Sequence, residues 1–251
     1  MSSKISENKS LSIIVPVYNE AKTLETLVRR VLAITLPFNY QIELVLINDG
    51  SQDQSWEIMQ KLQKEKKGIK ILANPENLGK TRTVLNGIKA STGDLLVIQD
   101  ADLEYNPQEI VEMVQLFETE QLDVVYGNRF GKKNKVIYIG NYIGNRLLSL
   151  LSNFFTYPRV KTWIPDMEVC YKLIRGNIAR ELAMQIVSKS SFGFEPEITA
   201  KLSKYKLQGQ HLRFGIVSIS YQPRTKAEGK HINAISDGFK AIVEVFKFNL
   251  N

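Results

Sequence analysis

Asp100-Ala101-Asp102-Leu103-Glu104 follows directly on the apolar run Leu95–Ile98. Carboxylates two residues apart on extended backbone project to the same side, because side chains alternate there. Like charges that close repel unless a cation lies between them, and hard divalent ions favour carboxylates together with the oxygens of a diphosphate. Asp100, Asp102 and Glu104 are therefore read as ligands for Mg2+ or Mn2+. The competing reading is a solvated acidic loop that leads into the helix after Pro107. Two further polar clusters close apolar runs upstream. In Asn48-Asp49-Gly50-Ser51-Gln52-Asp53, Asp49 is placed to bind a nucleobase or a ribose hydroxyl and Gly50 lets backbone approach a ligand, while Ser51 or Asp53 can cap the next helix. In Pro16-Val17-Tyr18-Asn19-Glu20, the proline and the carboxylate can shape a loop for a base or ribose, with Asn19 as a helix cap the alternative.

The elements that must position these clusters alternate. Apolar runs at 11–17, 42–47, 69–73, 95–98 and 124–126 read as buried strands, and the segments 20–33, 54–65, 80–90 and 108–117 as helices, the first with Leu24, Leu27, Val28 and Val31 on one face. Strands apolar on both faces that alternate with helices imply a mostly parallel α/β sheet covered on both sides. Such sheets bind ligands at the carboxyl ends of their strands, where all three clusters fall. The second half is less regular: helices over 138–155, 177–186, 197–205 and 233–248, and strands over 169–174 and 216–221. The helix 138–155 is heavily apolar but is broken by Asn141, Asn145, Arg146, Ser149 and Ser152. The whole reads as one domain, 1–251, with a donor and metal half at about 11–129 and an acceptor and membrane-surface half at about 130–251.

Composition narrows the partners. The chain has 251 residues, a net charge of +7 and one cysteine, Cys170, which excludes an internal disulfide and makes a reducing compartment the expectation. No stretch approaches the roughly 18 apolar residues of a membrane span and residues 1–10 lack the core of a signal peptide, so a soluble or peripheral protein is expected. The positive charge suits nucleotides, nucleic acid or acidic lipid.

Val-Pro-Val-Tyr-Asn-Glu (15–20), Asn-Asp-Gly-Ser-Gln-Asp (48–53), Asn77-Leu78-Gly79-Lys80 and Asp-Ala-Asp-Leu-Glu (100–104) stand in this order. Together they resemble the inverting family 2 glycosyltransferases of the Rossmann-like GT-A fold, within them the dolichol-phosphate mannose and glucose synthases and bacterial polyprenyl-phosphate relatives. The resemblance is strong over 11–129 and weaker beyond. It implies that Pro16, Tyr18, Glu20 and Asp49 hold the nucleoside of a nucleotide-sugar donor, with Lys80 near it or its diphosphate, and that Asp100, Asp102 and Glu104 hold the metal, Asp100 also touching the nucleotide. Many relatives have Asp-Asp-Gly-Ser where this chain has Asn48, so the nucleoside role passes only to Asp49. Asp166-Met167-Glu168-Val169-Cys170-Tyr171-Lys172 is similar to the family's acceptor loop but departs from it at Val169-Cys170-Tyr171, and Arg224 and Lys230 are similar to a late basic loop over the diphosphate.

A hydroxyl acceptor needs a general base, whereas a phosphate acceptor is already an anion and needs cations. The second half offers cations: Arg129, Arg146, Lys172, Arg224 and Lys230, together with Asp166, are read as acceptor-binding residues; Arg129 and Arg224 are also read as catalytic, alongside Asp100 and Asp102, and Lys133 and Lys135 as solvated surface charges. A lipid-phosphate acceptor at an anionic membrane surface, reached from the cytoplasmic face, is the expectation. The apolar helix 138–155 fits either an interfacial helix or an ordinary core helix. The alternatives are a glycan hydroxyl acceptor with Glu195 or Asp166 as base, an oxidoreductase, and a nucleotide- or RNA-binding module. No Gly-x-Gly-x-x-Gly follows the first strand, which opposes the oxidoreductase. The basic residues are not interleaved with aromatics, which opposes a nucleic-acid partner. The two histidines, His211 and His231, lack metal-ligand spacing.

Overall fold

In the computed structural model, residues 9–188, 190, 193–225 and 234–250 are described, 234–239 by their backbone. The strands are β1 (Ser10–Val17), β2 (Gln41–Asn48), β3 (Ile69–Ala73), β4 (Leu95–Ile98), β5 (Val124–Asn128), β6 (Lys172–Arg175), the short hairpin β7 (Lys206–Leu207) and β8 (Gln210–His211), and β9 (Phe214–Ser218). The helices are α1 (Leu24–Leu32), α2 (Ser55–Glu65), α3 (Lys80–Ala90), α4 (Glu109–Thr119), α5 (Ile139–Val160), α6 (Gly176–Ala183), α7 (Phe194–Lys204) and α8 (Ala234–Leu250).

Seven strands form one sheet in the order β3-β2-β1-β4-β6-β5-β9. Parallel pairing joins β1 to β2 and β4, β2 to β3, and β5 to β9; β6 runs antiparallel between β4 and β5. The mostly parallel α/β architecture expected from the alternating runs is what forms. In β1, Leu11, Ile13, Ile14, Val15 and Val17 are all fully buried, as both faces of a central parallel strand must be when helices cover them.

Several boundaries differ from the sequence pattern, among them the late strand, which runs Phe214–Ser218 and not 216–221, and three of the differences have a clear local reason. Asn19 takes a left-handed φ of 55°, and the backbone oxygen of Glu20 accepts from Thr23 and Leu24, so α1 starts at Leu24 and Glu20 stays on the turn. The strand expected over 169–174 begins only at Lys172. Before it, Cys170 donates through Sγ to the Ile98 carbonyl and the Tyr171 hydroxyl bonds Gln99 Oε1, contacts that draw the chain across the end of β4. Helix α5 runs on past 155 to Val160 and stops where Lys161 turns left-handed at φ 55°.

Gly87 seats α3 on the sheet, since a Cβ there would lie 2.5 Å from Ile14 Cγ2 and 2.6 Å from Ile47 Cδ1. Gly87→Val is expected to overpack this contact at a cost of about 1–3 kcal/mol. Urea unfolding should show a lower midpoint with an unchanged m-value.

Candidate active site

The acidic turn stands where β4 ends. Its backbone is not extended: Ala101 and Asp102 form a turn and Leu103 has φ 61°. The alternation that would line up Asp100, Asp102 and Glu104 therefore does not hold, and each carboxylate has its own surroundings. Asp100 pairs with Lys80 Nζ at 2.7 Å, the lysine standing at the first position of α3. Asp102 accepts from the Glu104 amide at 3.0 Å and pairs with Arg224 at 3.3 Å. Glu104 accepts from the Tyr221 hydroxyl at 2.6 Å and the Arg224 amide at 2.6 Å, and its carbonyl from Gln222. Glu104 thus fastens the late segment 221–224 over the acidic turn, with both of its carboxylate oxygens bonded there.

Arg224 joins three sequence-distant parts. Its guanidinium donates to both carboxylate oxygens of Glu20, at 3.1 and 2.9 Å, and reaches Asp102, while its Nε is buried with no partner among the described residues. Glu20, Asp102 and Arg224 line a cleft of about 1280 Å³ together with Tyr18, Asn19 and Asp53. Tyr18 is half exposed there, and Pro16 lies in β1 opposite Ile47. Asp49 is buried beside them, and its carboxylate accepts from Asn74 Nδ2 at 2.8 Å and from the amides of Leu78 and Gly79 at 2.8 and 3.0 Å. In this structure, then, Asp49 shapes the 74–79 loop that delivers Lys80. Asn74, one residue beyond β3, was not singled out by sequence; its position at a strand end was the available signal.

Among the residues read as acceptor-binding, Arg129, just after β5, makes a forked pair with Asp166 (Nε to Oδ2 2.8 Å, Nη2 to Oδ1 2.7 Å), and its amide adds a third bond at 3.1 Å. Asp166 is fully buried, and its charge holds the arginine well above its ordinary pKa despite burial. Asp166 therefore orients Arg129 and is committed to it. Lys172 is a correction to the sequence reading. It lies in the central strand β6, 1% exposed, with its ammonium bonded to the Val169 carbonyl and over the Tyr126 ring at 5.3 Å, so it faces the core and not an acceptor. Arg146 is exposed on α5, stacked over Phe130 at 5.2 Å. Lys133 and Lys135, read as solvated, line both the large cleft and an adjoining cavity of about 240 Å³ bounded by Arg129, Lys132, Tyr138 and Tyr142. Lys230 and His231 lie outside the described residues.

A family profile described as Glycosyl transferase family 2 matches residues 12–183, more than half of the chain. The chain belongs to glycosyltransferase family 2. Among relatives of this family, it is 33% identical over 126 residues to a dolichol-phosphate mannosyltransferase of Pyrococcus furiosus, spanning 50% of this chain and 35% of that protein. It is 37% identical over 119 residues to an undecaprenyl-phosphate 4-deoxy-4-formamido-L-arabinose transferase of Pseudomonas savastanoi pv. phaseolicola, spanning 47% and 35%. The matches thus cover about a third of those proteins' lengths. Glucosyl-3-phosphoglycerate synthase of Mycobacterium tuberculosis, solved with Mn2+, UDP and glucosyl-3-phosphoglycerate, superposes with a TM-score of 0.67 at 15% identity, over 96% of this chain and 80% of that one. The fold of this family 2 chain is that of the GT-A enzymes.

Helix α5 is turned inside out. Its buried face carries Ser149, Ser152, Asn153 and Thr156, and their polar atoms are satisfied: Asn153 exchanges hydrogen bonds with the Ile164 backbone at 2.6 and 2.8 Å, and Ser149 Oγ accepts from the Met167 amide at 2.9 Å. Its outer face carries Ile139, Ile143, Leu147, Leu150 and Phe154, the last 75% exposed. Phe155 meets Phe246 of α8 at 5.7 Å, and α8 adds exposed Ile242, Val243 and Leu250 to the same side. An ordinary core helix has the opposite arrangement. Among the described residues no helix is long and apolar enough to cross a membrane.

Asp166→Ala leaves the buried guanidinium of Arg129 without its counter-charge. A loss of about 3–5 kcal/mol in unfolding free energy is expected from breaking such a pair on one side. Denaturant unfolding monitored by circular dichroism measures it.

Proposed function

We propose that this chain transfers a hexose, with inversion, from a nucleoside-diphosphate sugar of the GDP-mannose or UDP-glucose type to a polyprenyl phosphate at a membrane surface. The observation that carries the reading is continuity. The acidic turn with Lys80 and Arg224 adjoins a cavity lined by Arg129, Lys132, Lys133 and Lys135, and that cavity opens beside the outward apolar face of α5. A polyprenyl phosphate has the matching form, an anion on an apolar tail. An apolar helix face buries at the headgroup boundary while neighbouring cations meet lipid phosphates.

The donor end needs a divalent ion, and the residues fit one held by two carboxylates. Burial and the charges of Asp100 and Glu104 push the Asp102 carboxyl up to about 7, a surplus of negative charge that a cation relieves. Among the described residues no group of three or more histidine, cysteine or carboxylate side chains is placed to enclose a metal. Asp100 and Asp102 would hold Mg2+ or Mn2+, with the remaining ligands from diphosphate and water. Bound there, the ion supplies Lewis-acid stabilisation of the leaving diphosphate. The chain's own cations complete the field. Lys80 and Arg224 stand beside the same carboxylates, and the unpartnered Nε of Arg224 is a donor ready for an anionic oxygen. Tyr18, Glu20 and the 48–53 turn form the nucleoside end. At the other end, Arg129, held rigid by Asp166, positions the acceptor phosphate so that its oxygen forms a bond to the anomeric carbon as the bond to the diphosphate breaks. Such an acceptor needs no base, and Asp166, locked to Arg129, is not free to be one.

Asp102→Asn is expected to lower transfer on the order of 10²-fold, as for other strong electrostatic stabilisers, with little change in unfolding midpoint. Wild-type turnover by this variant in the presence of a chelator is the contrary result. The acceptor is tested by sugar transfer into an organic-extractable product from short-chain polyprenyl phosphate. Arg129→Ala and Arg224→Ala should each cost about one to two decades, the weight of a charge-assisted bond of ~1.5–3 kcal/mol, and Glu195→Gln less than tenfold. Transfer to a soluble glycan that dies in Glu195→Gln, with no extractable product, assigns Glu195 as base and a hydroxyl acceptor. The chain should also sediment with phosphatidylglycerol vesicles at low salt and be released as salt rises. Leu147→Glu with Phe154→Glu should abolish sedimentation while leaving the unfolding midpoint nearly unchanged.

A further inference from the structure

Glu168 takes no part in the chemistry so far. It lies two residues after Asp166, which grips Arg129, and two before Cys170, whose Sγ donates to the Ile98 carbonyl at 3.3 Å. Tyr171, next along, bonds Gln99, the residue that opens the acidic turn. The short loop carrying Glu168 is therefore pinned on one side to the acceptor cation and on the other to the donor end of β4. Glu168 Oε1 is buried with no hydrogen-bond partner among the described residues. Nearby is Glu195, in the first turn of α7 and 7% exposed. Its backbone oxygen accepts from Thr199, and among the described residues no donor is bonded to its carboxylate. Thr199 also bonds the Tyr126 hydroxyl at 2.9 Å, and the Glu195 charge acts on Lys80 at the donor side and on Glu168 and Lys172 at the loop.

A buried carboxyl oxygen left without a donor, as Glu168 Oε1 is, is destabilising unless a ligand completes it. A sugar linking a diphosphate at Asp100 and Lys80 to an acceptor at Arg129 must occupy the space between those residues, and its hydroxyls are the missing donors. Burial and the charge of Glu195 push the Glu168 carboxyl up to about 8, so near neutrality it also carries a proton to donate. A hydroxyl, which donates one hydrogen bond and accepts two, matches such a pair. We propose that Glu168 and Glu195 bind hydroxyl groups of the transferred sugar and select which sugar the site accepts. This rests on the reading of the site as a nucleotide-sugar transferase.

The test separates sugar from nucleotide. Calorimetry with Mn2+ compares UDP and GDP with UDP-glucose, UDP-galactose and GDP-mannose, for the wild type and Glu168 variants. Glu168→Ala should weaken the nucleotide sugar that the wild type binds best by about tenfold, in line with one lost buried hydrogen bond, and leave the sugar-free diphosphate within twofold. Glu168→Gln, which keeps a donor and an acceptor, should recover most of that loss, and Glu168→Met, close in volume, serves if the alanine variant does not fold. Equal losses for diphosphate and nucleotide sugar, or none for either, overturn the proposal. Loss of kcat with unchanged nucleotide-sugar affinity also overturns it, in favour of acid–base chemistry. A wild type that binds neither diphosphate overturns the donor-site reading itself and this inference with it.

Discussion

A charged side chain taken out of water must meet an opposite charge, because the cost of leaving it unpaired exceeds what packing returns. Around this requirement the site is built. Glu20 follows the first strand, Asp102 the fourth, and Arg224 comes 122 residues after Asp102, yet one guanidinium joins them. Arg129 and Asp166 are 37 residues apart and form a forked pair. Each pair closes a loop that no secondary structure would close, and together they hold the late segment and the segment around Asp166 against the carboxyl edge of the sheet. The site's electrostatics and its architecture are the same set of contacts.

Those pairings also prepare the chemistry. Lys80 and Arg224 are partnered with Asp100 and Asp102, the carboxylates proposed to hold a divalent ion, so cations and anions already share the place where the proposed diphosphate would bind. Burial, joined by the charges of Asp100 and Glu104, raises the proton affinity of Asp102 even with Arg224 beside it. A site in that condition favours ligands that bring a cation with an anion, as a metal-bound nucleoside diphosphate does. Away from the acidic turn, the polar inner face of α5 serves Arg129 and Asp166 in a different way. Asn153 and Ser149 are spent on the backbone of the 164–167 segment, which fixes the loop bearing Asp166 and leaves the apolar half of the helix outward. One helix thereby places the arginine's partner and offers an apolar face beside it.

Much of this could be read from the chain because it depends on short-range regularities. Runs apolar on both faces determined the parallel strands β1 to β4, and the residues just beyond each run had to lie at the carboxyl edge, which located Glu20, Asp49, Asp100 and Asp102 before any contact was known. The order of the four motifs determined the family. What periodicity could not carry was direction within the acidic segment: the left-handed Leu103 breaks the alternation, so Glu104 turns to Tyr221 and Arg224. Nor could it reveal that Lys172 points inward, since a lysine at a strand start reads as exposed until the neighbours on both sides, β4 and β5, are known. The side of α5 that faces the protein was equally undecided, because its amphipathic pattern is the same for a core helix and an inverted one. Only the hydrogen bonds of Asn153 and Ser149 to a loop more than ten residues away chose between them. Local pattern specifies which residues share a face; which face is buried, and which charges meet, is set by partners distant in sequence that exist only once the chain has folded.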